Sequence, residues 1–145
     1  MSAGWWALVA AIVVAVTIGV LHRVREGRIR KRPEGDGTVS AALVPETVRG
    51  KLGSGVTLVQ LSTTFCAPCR HARVLLADLA DRTAGLDHVE IDLTERPELA
   101  EELRVRRTPT TLAVDAGGHE LLRVHGVPKR DRLLEALLPY LNRNS

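Results

Sequence analysis

The sequence predicts an α/β domain with a mixed sheet and helices on both faces, preceded by one apolar N-terminal helix. From Val56 onward, short apolar runs alternate with helical patterns in the order β-α-β-α-β-β-α, which is typical of this fold class. Before the domain, Gly4 to Leu21 holds eighteen consecutive residues without a charge. A membrane span needs roughly 17–25 such residues, so this stretch predicts one transmembrane helix.

The apolar stretch is interpreted as a retained anchor, residues 1–22. Trp5 and Trp6 stand at its edge, where indole rings favour the lipid headgroup region. A cleaved signal peptide and a buried core helix are the alternatives. A secretory signal carries Lys or Arg before its apolar run and a small-x-small cleavage site after it, and this sequence has neither.

A basic segment follows the anchor. His22 to Pro33 contains six Lys and Arg residues against one acid, whereas the rest of the chain has 14 basic and 16 acidic residues. The positive-inside rule predicts that this flank stays in the cytoplasm, with the following domain on the same side of the cell membrane. Pro33 to Gly37 is rich in turn formers, so residues 23–37 are interpreted as a basic juxtamembrane segment and linker. No basic face recurs in the domain, and nucleic-acid binding is not expected.

The first half of the domain shows a strand and a helix around the cysteines. Val56 to Leu61 is a short apolar run typical of a buried parallel strand. Ala67 to Arg82 follows with apolar residues at helical spacing. Upstream of both, the pattern predicts a weak strand over Val39 to Val44 and a short helix over Pro45 to Leu52, which has Pro at its first turn and Gly53 at its end.

The second half predicts one more parallel strand, a hairpin and two helices. The turn formers Ala116-Gly117-Gly118 separate two apolar runs and indicate a β-hairpin. Thr94 or Glu95 is the expected cap of the first of the two helices. The predicted elements are a strand over His88 to Leu93, a helix over Pro97 to Leu103, strands over Thr110 to Val114 and Glu120 to Val124, and a closing amphipathic helix over Leu133 to Leu141.

Cys66 and Cys69 are the only cysteines, and they lie where the first long helix of the domain begins. Unpaired N–H groups and the helix dipole stabilise a thiolate at that position, so Cys66 is the expected nucleophile. In a cytosolic domain such a pair is more often catalytic or metal-binding than structural. A structural zinc site needs four protein ligands, and His71 with the two cysteines supplies three. No metal site and no bound cofactor are expected.

The domain resembles the thioredoxin family over residues 38–142. Four features carry the resemblance: Phe65-Cys66-Ala67-Pro68-Cys69-Arg70, Arg107-Thr108-Pro109-Thr110, the Gly117-Gly118 turn and Gly126 before the last helix. It implies a thioredoxin-like fold for residues 38–145, with Cys66 and Cys69 as the catalytic pair and a cis Thr108–Pro109 bond beside them. It also implies that Phe65, Ala67, Pro68, Thr108 and Pro109 contact the substrate.

One position departs from the family pattern. Thioredoxins similar to this chain usually carry a buried aspartate six residues before the first cysteine, which helps to take the proton from the second thiol, and here that position is Gln60. An amide is no general base at neutral pH. We therefore expect a slower second step, with His71, His88 and Glu90 as candidate proton acceptors.

The sequence as a whole predicts a membrane-tethered thiol–disulfide oxidoreductase that reduces protein disulfides by cycling Cys66 and Cys69. Its expected partners are disulfide-containing or dithiol proteins, an electron-donating reductase or thiol carrier, and the lipid bilayer. Two alternatives remain open. One is an exported oxidoreductase of cysteine-pair or cytochrome maturation, and the other is a non-enzymatic, redox-responsive membrane adaptor.

Overall fold

The computed structural model describes residues 3–25, 27–31 and 44–142. The elements in chain order are α1 (Ala3–Arg25), β1 (Ile29–Lys31), α2 (Glu46–Arg49), β2 (Val56–Ser62), α3 (Ala67–Asp81), β3 (Leu86–Asp92), α4 (Pro97–Glu102), β4 (Thr110–Val114), β5 (Glu120–His125) and α5 (Arg130–Leu141).

Helix α1 is apolar and stands apart from the core of the domain. It runs three residues beyond the predicted end at residue 22, and its large apolar side chains are exposed. Its length and composition suffice to cross a membrane, and an N-terminal signal sequence meets the same criterion.

The domain is built on one five-stranded sheet with the strand order β1-β5-β4-β2-β3. Strands β2 and β3 are parallel, whereas β2–β4, β4–β5 and β5–β1 are antiparallel. The predicted mixed sheet is therefore confirmed. The carboxyl ends of β2, β3 and β5 and the amino end of β4 meet at one edge, which we call the active-site end.

The sheet separates two apolar clusters. Leu58 and Val124 pack with residues of α3 and α5 on one face, and Val59 and Leu112 pack with residues of α2 and α4 on the other. Alternate residues of a strand point to opposite faces, so one central strand supplies both clusters. This arrangement confirms the prediction of helices on both faces.

Strand β1 was not predicted. It lies within the basic segment that follows α1, where Ile29 is half-buried against the α3/α5 cluster and Arg30 is exposed. Three residues with two cations are too short and too polar for an apolar-run criterion, although charged residues are common on edge strands. The predicted strand over 39–44, except Val44, and the linker over 33–37 lie outside the described residues.

The predicted cap of α4 is wrong. Arg96 precedes the helix and makes no side-chain capping bond. Thr94 instead donates through its backbone N–H to Asp92 at 2.8 Å and accepts from the Thr64 N–H at 2.9 Å. The hydroxyl is thus engaged at the active-site end, three residues before the helix begins.

Candidate active site

Cys66 caps the amino terminus of α3. Its backbone is extended (φ −106°, ψ 97°), and its Sγ accepts a hydrogen bond from the Cys69 N–H at 3.2 Å. Pro68 lies in the first turn, where a missing N–H leaves no intrahelical bond unmade. In the reduced protein, the same N–H and the helix dipole favour the thiolate form of Cys66.

Cys69 is joined to Cys66 by a disulfide and is far less accessible. The two Cα atoms are 5.2 Å apart, and Cys69 retains 2% of its exposure while Cys66 is half-buried. A partner can therefore reach the sulfur of Cys66, whereas that of Cys69 is shielded by the start of the helix.

The loop before β4 contacts the segment that leads to the pair. The Thr108–Pro109 bond is cis, as the resemblance implied, and the Thr108 hydroxyl lies 3.4 Å from that of Thr63. The Pro109 carbonyl accepts from the Gly126 N–H at 2.8 Å, which ties the loop to the end of β5. Phe65 is 99% exposed next to Cys66, so its ring presents an apolar surface to solvent.

Gln60 lies fully buried beneath the pair, on the face of β2 that α3 covers. Its Nε2 donates to the Cys69 carbonyl at 2.8 Å, and its Oε1 lies 3.1 Å from Nε2 of His88 on β3. Burial lowers the pKa of His88, partly opposed by the Glu90 charge. A neutral imidazole donating to the amide oxygen satisfies both side chains. Gln60 therefore holds the Cys69 backbone rather than its sulfur.

Glu90 faces the cysteines across a cavity of about 610 Å³ that both cysteines help to line. Its carboxylate accepts from the Ser62 hydroxyl at 2.8 Å and from Arg73 of α3 at 2.9 Å. This pairing raises the pKa of Arg73. Of the three candidate proton acceptors, Glu90 lines this cavity; His71 is exposed on α3 and His88 sits behind Gln60.

Comparison with known proteins shows the family to which this domain belongs. The sequence profile of the thioredoxin family matches residues 44–138. The chain belongs to the thioredoxin family. At the level of the family, this implies thiol–disulfide oxidoreductase chemistry at a Cys-x-x-Cys pair.

Relatives among thioredoxins are moderately similar to the chain. Thioredoxin of Staphylococcus epidermidis is 34% identical over 92 residues, which are 63% of this chain and 88% of that protein. Thioredoxin H2 of Arabidopsis thaliana is 32% identical over 83 residues, 57% of this chain. The chain spans 61% of the length of the Arabidopsis protein and 64% of that of thioredoxin H2-2 from Oryza sativa.

Solved thioredoxin structures share the fold. The crystal structure of a Nicotiana alata thioredoxin aligns with a TM-score of 0.54 at 28% identity, covering 63% of this chain and 77% of that one. The Fasciola hepatica thioredoxin aligns with a TM-score of 0.55 at 21% identity, covering 66% and 89%. The thioredoxin-like fold is thereby shown, with an additional apolar helix at the amino terminus.

Several polar residues of this thioredoxin-like site did not emerge from the sequence. Ser62, Arg73 and Asp92 line the cavity. Hydrogen bonds from Thr94 and Thr64 lower the pKa of Asp92. Period-two alternation from Gln60 places Ser62 on the same face, which is a signal the sequence contains. The approach of Arg73 to Glu90 joins a helix to a strand seventeen residues away and has no such signal.

Proposed function

We propose that this chain is a membrane-tethered thiol–disulfide oxidoreductase that reduces protein disulfides by cycling Cys66 and Cys69. The observation that carries the proposal is the asymmetry of the pair: Cys66 caps α3 and is accessible, whereas Cys69 is buried one turn later. Residues 1–22 act as the anchor in the cell membrane. The basic residues that follow keep the thioredoxin-like domain, residues 38–145, on the cytoplasmic side.

The reaction has two exchange steps. The Cys66 thiolate attacks one sulfur of the partner disulfide, which breaks that bond, forms a mixed disulfide and releases one partner thiolate. Cys69 then loses its proton and attacks Cys66, which forms the Cys66–Cys69 bond and releases the second partner thiolate. Two electrons pass to the partner, and an external dithiol carrier or reductase returns them to the pair.

We assign the walls of the site to substrate binding. Phe65, Ala67 and Pro68 flank the nucleophile and are exposed. The backbone at Thr108 and Pro109, whose loop contacts Thr63 before the pair, is where an extended partner segment can add a short strand. We assign Glu90 as the acceptor of the Cys69 proton, by way of water in the shared cavity. Its carboxylate lines that cavity and lies 3.5 Å from Nε2 of Gln60, the amide nitrogen that bonds to the Cys69 carbonyl.

Disulfide reduction by the full chain in detergent tests the activity. With dithiothreitol as donor, we expect turnover of an insulin-type disulfide by the native chain and none by Cys66→Ser. Cys69→Ser should accumulate the mixed disulfide. Absence of turnover by the native chain would favour a redox-responsive adaptor instead.

Topology has its own test. Reporter fusions at the carboxyl terminus should be active when the reporter works in the cytoplasm and silent when it works outside the membrane. The opposite result would favour the exported oxidoreductase. A mature protein from which the cell has cleaved the first 22 residues would contradict the anchor.

A further inference from the structure

The connection between α1 and the sheet is short. Helix α1 ends at Arg25 and β1 begins at Ile29, and the Gly27 N–H already donates to the His125 carbonyl at 2.9 Å. Four residue steps reach at most about 14 Å even when fully extended. The helix is therefore joined closely to an edge strand of the domain.

This junction lies at the active-site end of the sheet. Ile29 stands opposite Val124, Val124 opposite Thr111, and Thr111 opposite Gln60, so Ile29 and Gln60 occupy one row across four strands. Three strand spacings separate them, about 14 Å.

Two residues closer to the active-site end than this row, the chain is at Gly27 before β1 and at Ser62 at the end of β2. Between them, Gly126 bonds to Pro109 at the cis peptide. Cys66 follows Ser62 by four residues. The chain thus leaves α1 at the level of the redox pair.

The direction of β1 then fixes which end of the domain is near α1. From Ile29 to Lys31 the strand runs toward the hairpin between β4 and β5, away from the active-site end. A folded domain with exposed charges stays outside the hydrocarbon core. A strand that follows a membrane helix this closely keeps its domain clear of the hydrocarbon core when it runs away from the bilayer, with its starting end nearest to it.

The charges around the junction fit this placement. A cavity of about 400 Å³ lies between the end of α1 and the start of α5. Its described lining includes four cations and no acid; the cations are Arg23, Arg28, Lys129 and Arg132. Anionic lipid headgroups attract such clusters next to a span.

We propose that the active-site end of the domain faces the bilayer and that the partner is a membrane protein. The connection reaches about 14 Å from α1 and the row of strands spans about 14 Å, so the disulfide of that partner lies within about 20 Å of the headgroup surface. This inference rests on the proposed function. The exchange steps are those given above, with the same two electrons transferred, and the geometry selects the partner by the height of its disulfide above the membrane.

Lipid quenching tests the orientation without any enzymatic readout. In a full-length Cys66→Ser, Cys69→Ser background, a fluorophore is attached to Glu95→Cys or to Ala116→Cys. Both positions are exposed; Glu95 adjoins Thr94, which bonds to the loop before Cys66, and Ala116 lies in the β4–β5 turn at the other end. In phosphatidylcholine–phosphatidylglycerol liposomes with headgroup spin-labelled lipid, we expect at least twofold stronger quenching at position 95. Equal or reversed quenching would overturn the orientation.

Two transmembrane peptides test the partner. Each carries one cystine ring, placed either about five residues from its span or at the end of a forty-residue helical spacer, about 60 Å away. The full-length Cys69→Ser variant should trap the near peptide at least tenfold faster in liposomes and both peptides equally in detergent. No trapping in detergent would contradict the proposed function, whereas equal trapping in liposomes would contradict this inference alone.

Discussion

At the scale of single residues, Gln60 and Glu90 stand in different relations to Cys69. Gln60 is fully buried and anchors the Cys69 carbonyl at 2.8 Å, but its amide takes no proton. Glu90, two residues beyond His88 on β3, presents a carboxylate to the cavity that both cysteines line. The geometry therefore favours one residue for position and another for proton transfer.

Glu90→Gln should slow the second exchange step by about tenfold or more, because a positioned base typically contributes at least that much. The first step should keep its rate, since Cys66 is activated by the start of α3. Stopped-flow measurement of mixed-disulfide formation and decay across pH separates the two steps. The decay rate of the variant should follow solvent hydroxide over a wider pH range than that of the native chain.

Glu98→Gln provides the matched control, because Glu98 is an exposed carboxylate on α4, away from the cavity. It should leave both rates unchanged. Unaltered decay in Glu90→Gln would show that another group accepts the proton from Cys69.

At the scale of elements, the edge strand β1 brings three residues of the basic segment into the sheet, where they pair with β5. It depends on Gly27, whose φ of +73° is left-handed and whose position would bring a Cβ within 3.1 Å of the Val127 carbonyl. Residues with a side chain adopt that conformation at a cost of about 1–2 kcal/mol. The junction is thus the point at which one substitution can detach the strand.

Gly27→Ala should loosen β1 without unfolding the rest of the domain. Amide hydrogen exchange of the full chain in detergent should become faster in Ile29 to Lys31, while β2 and β4 keep their protection, because those strands lie inside the sheet. Gly50→Ala is the control, since Gly50 has a helical φ of −61° and no atom closer than 3.8 Å to the added Cβ. Unchanged exchange in β1 would contradict the proposed dependence on Gly27.

At the scale of the whole molecule, two histidines couple stability to pH. Burial lowers the pKa of both His88 and His125, and neighbouring arginines add to the effect at His125. In the unfolded chain both titrate near pH 6.5. Below that pH the unfolded state binds protons that the folded state does not, so the free energy of unfolding falls as the pH decreases.

The expected midpoint of urea unfolding is therefore steady above about pH 7 and lower at pH 5.5. A His88→Asn, His125→Asn double variant should lose much of this difference, whatever its absolute stability. The readout is the change in midpoint between the two pH values in each protein. An equal change in both would assign the pH dependence to other groups.

Much of the fold follows from local patterns, as β2 and α3 illustrate. The apolar run at Val56 and the helical spacing after Cys66 define each element within one or two residues, because burial of one face imposes the period of the sequence. Strand β1 and the cap of α4 show the limit of this reasoning. A three-residue basic strand has too little pattern, and Thr94 bonds to Asp92 and Thr64 rather than to α4.

Residue type and short spacing are sufficient to predict the cysteine pair, the apolar helix, the order of elements from β2 onward and the departure at Gln60. The shared cavity of Glu90 and the cysteines, and the entry of the chain from α1 into the sheet at the active-site end, are visible in the folded chain alone. Both facts arise from strand register. Register brings together residues far apart in the chain, and the spacing of neighbouring residues carries no record of it.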